Sequence, residues 1–401
     1  MNGEQNRGLD EMWPRVGAEI ARARRREDLG RRISRWAIVA SAAALAVTVA
    51  IVGQIRHART GGQKPCECVP WDLTHIAPLG NVSAEYPLVC GKKVFAIRGE
   101  GRHERVVCVR KNSGKVEWES AITFSECRFA CDSRRLYVLF REPLASWRCV
   151  ALDVRDGTEL WRRPPEEAGG VPPSMPTAVG DGVAWTRGNR VVLCAGDSGS
   201  TVWTRTTDSD DMLSAPRVQG KTVFAASRRE VFAYRAASGD LLWRRSIGER
   251  QAGGRNPGLM ELGEGRVYVA GRTFGGTGRI SCLSAGTGAV LWSAPSDMPL
   301  RLQVVDGQVL VRSAALNALD AQDGALRWKA PVGGCGPISF GKERLYVVDA
   351  ADRRELVAID SRSGQMAWRR SAVGSCSGVV ADRTMGFISG SDGILHAVAL
   401  N

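Results

Sequence analysis

Residues 316–328 read Leu316-Asn317-Ala318-Leu319-Asp320-Ala321-Gln322-Asp323-Gly324-Ala325-Leu326-Arg327-Trp328. The end of this stretch, a small polar residue, glycine, three residues and tryptophan, occurs seven times. It stands at Ser113-Gly114…Trp118, Asp156-Gly157…Trp161, Ser198-Gly199…Trp203, Ser238-Gly239…Trp243, Thr287-Gly288…Trp292, Asp323-Gly324…Trp328 and Ser363-Gly364…Trp368. Successive tryptophans are 43, 42, 40, 49, 36 and 40 residues apart. A period near 40 residues marks the blades of a propeller or the units of a solenoid.

The chemistry of the phrase predicts antiparallel sheet. Glycine tolerates the positive φ that a tight hairpin requires. Ahead of it run strand-forming segments such as Lys93-Val94-Phe95-Ala96, Arg266-Val267-Tyr268-Val269 and Arg344-Leu345-Tyr346-Val347, then Val150-Ala151-Leu152-Asp153, Asn317-Ala318-Leu319-Asp320 or Val357-Ala358-Ile359-Asp360. Alternation in these strands puts one face inward, and the tryptophan supplies a large apolar area to fill the gap between neighbouring sheets. The last unit has its inner strands but ends without a glycine turn or tryptophan strand. The missing strand is available near residue 70, where Cys68-Val69-Pro70-Trp71-Asp72-Leu73 has the same aliphatic-x-Trp form as Leu326-Arg327-Trp328. Trp71 is therefore expected to close the ring beside the C-terminal strands. That gives an all-β, eight-bladed propeller of four antiparallel strands per blade over residues 66–401, with no open sheet edge left at the seam.

The segments ahead of the ring read differently. Residues 1–35 form a basic tail, expected in the cytoplasm. Residues 36–55 are twenty uncharged residues bracketed by Arg35 and Arg56, which at about 1.5 Å per residue span one hydrocarbon core and predict a transmembrane helix. Residues 56–65, with Gly61-Gly62, form a linker. Arg22, Arg24, Arg25, Arg26, Arg31, Arg32 and Arg35 crowd the N-terminal flank, so the tail is expected inside and the propeller outside the cell membrane, periplasmic or extracellular. In that compartment the formal charge of +13 is not read as nucleic-acid binding. Four histidines make a Cys/His zinc site a poor expectation, and no metal site is expected. Among eleven cysteines two pairings are candidates. Cys335 and Cys376 occupy corresponding positions in consecutive units, where inner strands could bring them together. Cys127 and Cys131 flank what reads as an inserted turn and form a candidate local pair.

The pattern Leu-x-Ala-Leu-Asp-Ala-x-x-Gly-x-x-x-Trp, best preserved at 316–328, resembles the repeat of PQQ-like β-propellers, the family of quinoprotein alcohol dehydrogenases and of the outer-membrane assembly factor BamB. The resemblance covers residues 66–401 and implies the eight-bladed fold. WD40 repeats typically carry Gly-His and Trp-Asp, and this chain has only four histidines. Within the family, a quinoprotein dehydrogenase holds PQQ over a tryptophan floor with Ca2+, an aspartate base and often a disulfide of adjacent cysteines. No adjacent cysteines occur here, and the recurring Asp153, Asp320 and Asp360 belong to the repeat. The resemblance thus implies a non-catalytic scaffold for protein-protein interaction, BamB-like in envelope or outer-membrane protein assembly, with no catalytic or cofactor-binding residues. The alternative is a PQQ-dependent oxidoreductase or a quinone-sensing or ligand-sensing propeller. The partners implied are envelope proteins bound through propeller loops, with the long insertions at 164–175 and 248–260 as candidates, and the membrane through residues 36–55.

Overall fold

A computed structural model describes residues 68–70 and 87–399, apart from intervals at 99–103, 143–145, 164–170, 209, 249–257, 273–277, 298, 334–335, 342, 350–354, 372–375, 382–384 and 391–394. The chain divides into two compact units, Met1–Lys64 and Pro65–Asn401, and all described residues lie in the second. The expected basic tail, transmembrane helix and linker all lie outside the described residues, as do most of the 164–175 and 248–260 insertions. Among the described residues no helix is long and apolar enough to cross a membrane.

The second unit is all strand. It holds eight four-stranded antiparallel sheets, seven of which take their strands in chain order. Blade 1 comprises Leu88–Cys90, Lys93–Arg98, Arg105–Arg110 and Val116–Glu119, blade 2 comprises Glu126–Cys131, Arg135–Arg141, Trp147–Asp153 and Glu159–Arg163, and blades 3, 4 and 5 run over 177–206, 217–246 and 259–296. The first strands of successive blades approach one another around the centre, and the tryptophan strands lie outermost. The eighth sheet consists of Cys376–Ala381, Met385–Gly390 and Leu395–Ala399, with Cys68–Pro70 as its outer strand. Cys68 pairs with Val398, Val69 with Ala397 and Pro70 with His396. Proline is tolerated there because an outermost strand needs no donor on its free side. Trp71, the residue expected to close the ring, lies outside the described residues.

The middle strands depart from simple alternation. In Lys93–Arg98 the four central residues Val94, Phe95, Ala96 and Ile97 are all buried, and the same holds for Arg105–Arg110 and Glu355–Asp360. Each blade is covered on both faces by its neighbours, so both sets of side chains are interior and the strands read as continuous apolar runs. The core accordingly lies between blades. One cluster joins Trp203 and Leu193 of blade 3 to Val223 and Phe232 of blade 4, and another joins Val94 and Val107 of blade 1 to Phe387 and Leu395 of blade 8, across the closure.

Candidate functional site

The repeated phrase builds one device at each blade boundary. Its glycines have left-handed φ, from 68° at Gly199 to 78° at Gly324, and each closes a turn by donating its N–H to the carbonyl four residues back, as Gly157 does to Asp153 at 2.9 Å and Gly324 to Asp320 at 2.9 Å. The recurring aspartates shape the same turn. Asp320 Oδ1 accepts from the Gln322 amide at 2.6 Å, and Asp360 Oδ1 accepts from Arg362 and Ser363 at 3.1 and 2.8 Å. Those amide hydrogen bonds, with Arg327 adding to the effect at Asp320, hold both carboxyls below the usual carboxylate range. These aspartates act on their own backbone.

What the glycines do beyond turning was not legible in a single repeat. The tryptophan of each blade lies on the turn of the next. A Cβ on Gly157 would stand 2.5 Å from the Trp118 ring, and one on Gly199 2.5 Å from Trp161; Gly239, Gly288, Gly324 and Gly364 meet Trp203, Trp243, Trp292 and Trp328 in the same way. The indole Nε1 then donates to the carbonyl three residues before that glycine. Trp118 bonds Val154 at 3.1 Å, Trp161 bonds Gly196 at 2.6 Å, Trp203 bonds Ala236 at 2.7 Å, Trp243 bonds Ala285 at 2.9 Å, Trp292 bonds Ala321 at 3.1 Å and Trp328 bonds Ser361 at 3.0 Å. Trp368 faces blade 8, which has no glycine turn, and its Nε1 has no partner among the described residues. Within each blade a register shift precedes the tryptophan strand, so that Trp118 sits opposite Cys108, Trp292 opposite Cys282 and Trp328 opposite Ala318. A small residue, Ala or Cys, stands opposite every one of these indoles except Trp203, which faces Leu193.

Arginines after the tryptophans add a second set of ties. Arg205 donates to the carbonyls of Gly239 and Ser238, and Arg245 to that of Gly288, each on the next blade's turn. Arg163 reaches Thr201 Oγ1 at 2.9 Å and the Cys194 sulfur, and stacks over Trp185 at 5.7 Å. Arg162 pairs with Glu159, Arg244 with Glu230 and Asp208, and Arg369 with Asp349 and Glu355. These arginines staple strands and blades together. On the first strands, Arg217 of blade 4 holds Glu261 of blade 5 bidentately at 2.5 and 3.1 Å. The same outer strands expose a belt of apolar side chains just ahead of the tryptophans: Leu160, Val202, Leu241, Leu242, Val290, Leu291, Met366 and Leu326, the last 59% exposed.

The cysteine expectations fare differently. Cys127 and Cys131 do not flank a turn; both lie on the single strand Glu126–Cys131. Four residues of extended chain separate their Cα atoms by about 13 Å, well beyond the roughly 7 Å a disulfide spans, so they do not bridge each other. Cys376 opens the first strand of blade 8, while Cys335 and the Cys376 side chain lie outside the described residues. Among the described residues no three His, Cys, Asp or Glu side chains converge as a metal site.

With this geometry in place, the chain can be set beside known proteins. The sequence profile of the family described as outer membrane protein assembly factor BamB matches residues 147–301 and 276–400. The chain belongs to this family. Among its BamB relatives, the protein of Yersinia pestis is 24% identical over 276 residues, which is 62% of this chain and 67% of the relative. That of Moranella endobia is 24% identical over 310 residues, 69% of this chain and 76% of the relative. The crystal structure of BamB from Moraxella catarrhalis superposes with a TM-score of 0.61 at 15% identity, covering 84% of this chain and 99% of that one. A quinohemoprotein alcohol dehydrogenase from Comamonas testosteroni shares the fold at a TM-score of 0.54 and 10% identity, covering 81% of this chain and 72% of its own. The PQQ-like propeller read from the repeats is therefore the fold, and its sequence relatives are BamB proteins.

Proposed function

We propose that this protein is a non-catalytic, membrane-anchored propeller scaffold of BamB type that binds envelope proteins during outer-membrane protein assembly. The observation that carries the reading is the BamB-family match across residues 147–400. The repeat's tryptophans, glycines and aspartates support it, because they are engaged in holding blades together, which leaves recognition to loops and outer surface. The insertions at 164–175 and 248–260 are the recognition loops in this proposal. Residues 36–55 anchor the protein as a single-pass helix in the inner membrane, with residues 1–35 cytoplasmic and the ring, beginning at residue 66 after the linker, in the periplasm.

The test is cross-linking of the full chain in intact cells followed by capture from solubilised envelopes. A component of the outer-membrane assembly apparatus should be recovered, and deletion of 249–257 or 164–170, which spares the strand Leu259–Gly263 and the buried Met260, should reduce its yield. Recovery of no such component would overturn the proposal. So would a purified chain that acquires a stoichiometric quinone absorbance on addition of PQQ and Ca2+, since that outcome belongs to an oxidoreductase or quinone sensor.

A further inference from the structure

Cys131 does not meet Cys127, but it does meet a cysteine of another blade. Cys90 ends the first strand of blade 1 and Cys131 ends the first strand of blade 2. Both are half-buried and pack against the same cluster, around Phe95, Phe129 and Leu136. The Cys90 thiol donates to the carbonyl oxygen of Asp132, the residue after Cys131, at 3.4 Å, and the two first strands lie against each other. Two thiols on separate strands that end side by side have the arrangement that Cys127 and Cys131 lack.

We infer that Cys90 and Cys131 form a redox pair that closes to a disulfide between blades 1 and 2 when a disulfide oxidant is supplied. The two sulfurs have unequal parts. Donation from the Cys131 thiol holds the Cys90 thiol below its ordinary pKa, against the opposing effects of burial and Asp132, whereas the same contact and burial push Cys131 up. Cys90 is accordingly taken as the first sulfur to attack. The oxidant is a disulfide RS–SR, either glutathione disulfide or the disulfide of a thiol oxidoreductase. The Cys90 sulfur attacks one sulfur of the oxidant, the Cys90–SR bond forms and the first RS− leaves, taking up a proton. Cys131 loses its proton and attacks the Cys90 sulfur, the bond between the two cysteines forms and the second RS− leaves. Two protein thiols are oxidised by two electrons, and one disulfide of the oxidant is reduced to two thiols.

The position gives the bond a consequence. The ring is closed inside blade 8, where the outer strand Cys68–Pro70 pairs with Leu395–Ala399 and the chain then continues into blade 1. A disulfide from Cys90 to Cys131 adds a covalent tie between the innermost strands of blades 1 and 2, the first two blades after that seam. Cys108, in the same cluster, is not a competitor because it is fully buried, out of an oxidant's reach, whereas Cys90 and Cys131 are only half-buried. The inference does not depend on the assembly role, because it concerns thiol chemistry within the propeller.

The native full chain, reduced and then exposed to excess glutathione disulfide, is alkylated under denaturing conditions, digested without reduction and mapped by mass spectrometry. The expected product is a peptide pair joined between Cys90 and Cys131, lighter by two hydrogens, with near-complete loss of alkylation at both residues. In Cys90→Ser, Cys131 should remain alkylated after the same treatment, and in Cys131→Ser, Cys90 should be recovered as a mixed disulfide with glutathione. Full alkylation of both residues in the oxidised wild type would overturn the inference. A link from Cys90 to any cysteine other than Cys131 would overturn it equally.

Discussion

Replacing Gly199 with alanine tests whether the repeat glycine is a seat for tryptophan as well as a turn residue. Gly199 has φ +68°, and a Cβ there would stand 2.5 Å from Trp161 Cε3 and 2.8 Å from Cδ2. The backbone cost of placing an L-residue in the left-handed region is about 1–2 kcal/mol. Displacing a packed ring adds about 1–3 kcal/mol, and any stretching of the Trp161–Gly196 hydrogen bond, 2.6 Å long, adds up to about 1 kcal/mol. The sum is a destabilisation of about 2–6 kcal/mol. Gly220 provides the matched control, since its φ is +58° but a Cβ there meets nothing within 4 Å. Gly220→Ala therefore carries the backbone cost alone, about 1–2 kcal/mol. Urea denaturation of both variants, alone and in a Trp161→Ala background, separates the contributions. The extra cost of Gly199→Ala should disappear once the ring is gone. Equal destabilisation by the two alanines, or a Gly199→Ala cost unchanged without Trp161, would refute the reasoning.

Other consequences are open to measurement. Burial, with the negative charge of Glu126 adding to it, raises the Glu104 carboxyl from its usual 4.5 to about 7, so between those values the folded state keeps a proton that the unfolded chain has lost. That contribution to stability is complete below pH 4.5 and is lost as the pH rises through 7; melting temperatures at pH 5 and pH 8 should show the loss, and Glu104→Gln should flatten it. Arg312 is fully buried and donates to the carbonyls of Gly333, Gly336, Pro337 and Val348. Arg312→Met should cost about 3 kcal/mol or more by leaving acceptors unsatisfied, and Arg312→Lys should not rescue it, since a single ammonium cannot span the four; a neutral denaturation midpoint for either would contradict this. The sequence expectation that Trp71 closes the ring would put it on the turn of Gly114, whose φ is +69°. Trp71→Ala should accordingly lower stability by about 3–5 kcal/mol, like the other repeat tryptophans, and an unchanged melting temperature would sink that assignment.

The sequence showed the architecture because its signals were local and repeated. The glycine turns, the tryptophan strands, the truncated last unit and the aliphatic residues at 68–70 each carry their meaning within a few positions. The first strand of each blade was harder to see: Thr177–Val179, Arg217–Gln219 and Ser339–Phe340 have only two or three residues, too few for a period to register. Contacts between blades left no local trace. Trp161 on Gly199, Arg245 on Gly288 and Cys90 beside Cys131 join residues about 40 positions apart, and they become readable only when successive repeats are aligned and the residue after one tryptophan is compared with the turn of the next. Cys127 and Cys131 misled for the same reason, because nearness in sequence means separation when the chain is extended. The recognition surface is the least legible part. Loops without periodicity carry no pattern to read, and the belt from Leu160 to Met366 is visible only as exposure.

The central claim, a BamB-type scaffold in outer-membrane protein assembly, is tested most directly by depleting the protein in its own cells. The quantity to measure is the amount of folded β-barrel protein in the outer-membrane fraction, read as heat-modifiable bands on gels. The account predicts a fall in folded barrels that is restored by the wild-type chain and by the Glu104→Gln variant, which leaves the ring intact. Unchanged folded-barrel levels, together with loss of an alcohol-oxidising activity on depletion, would contradict it.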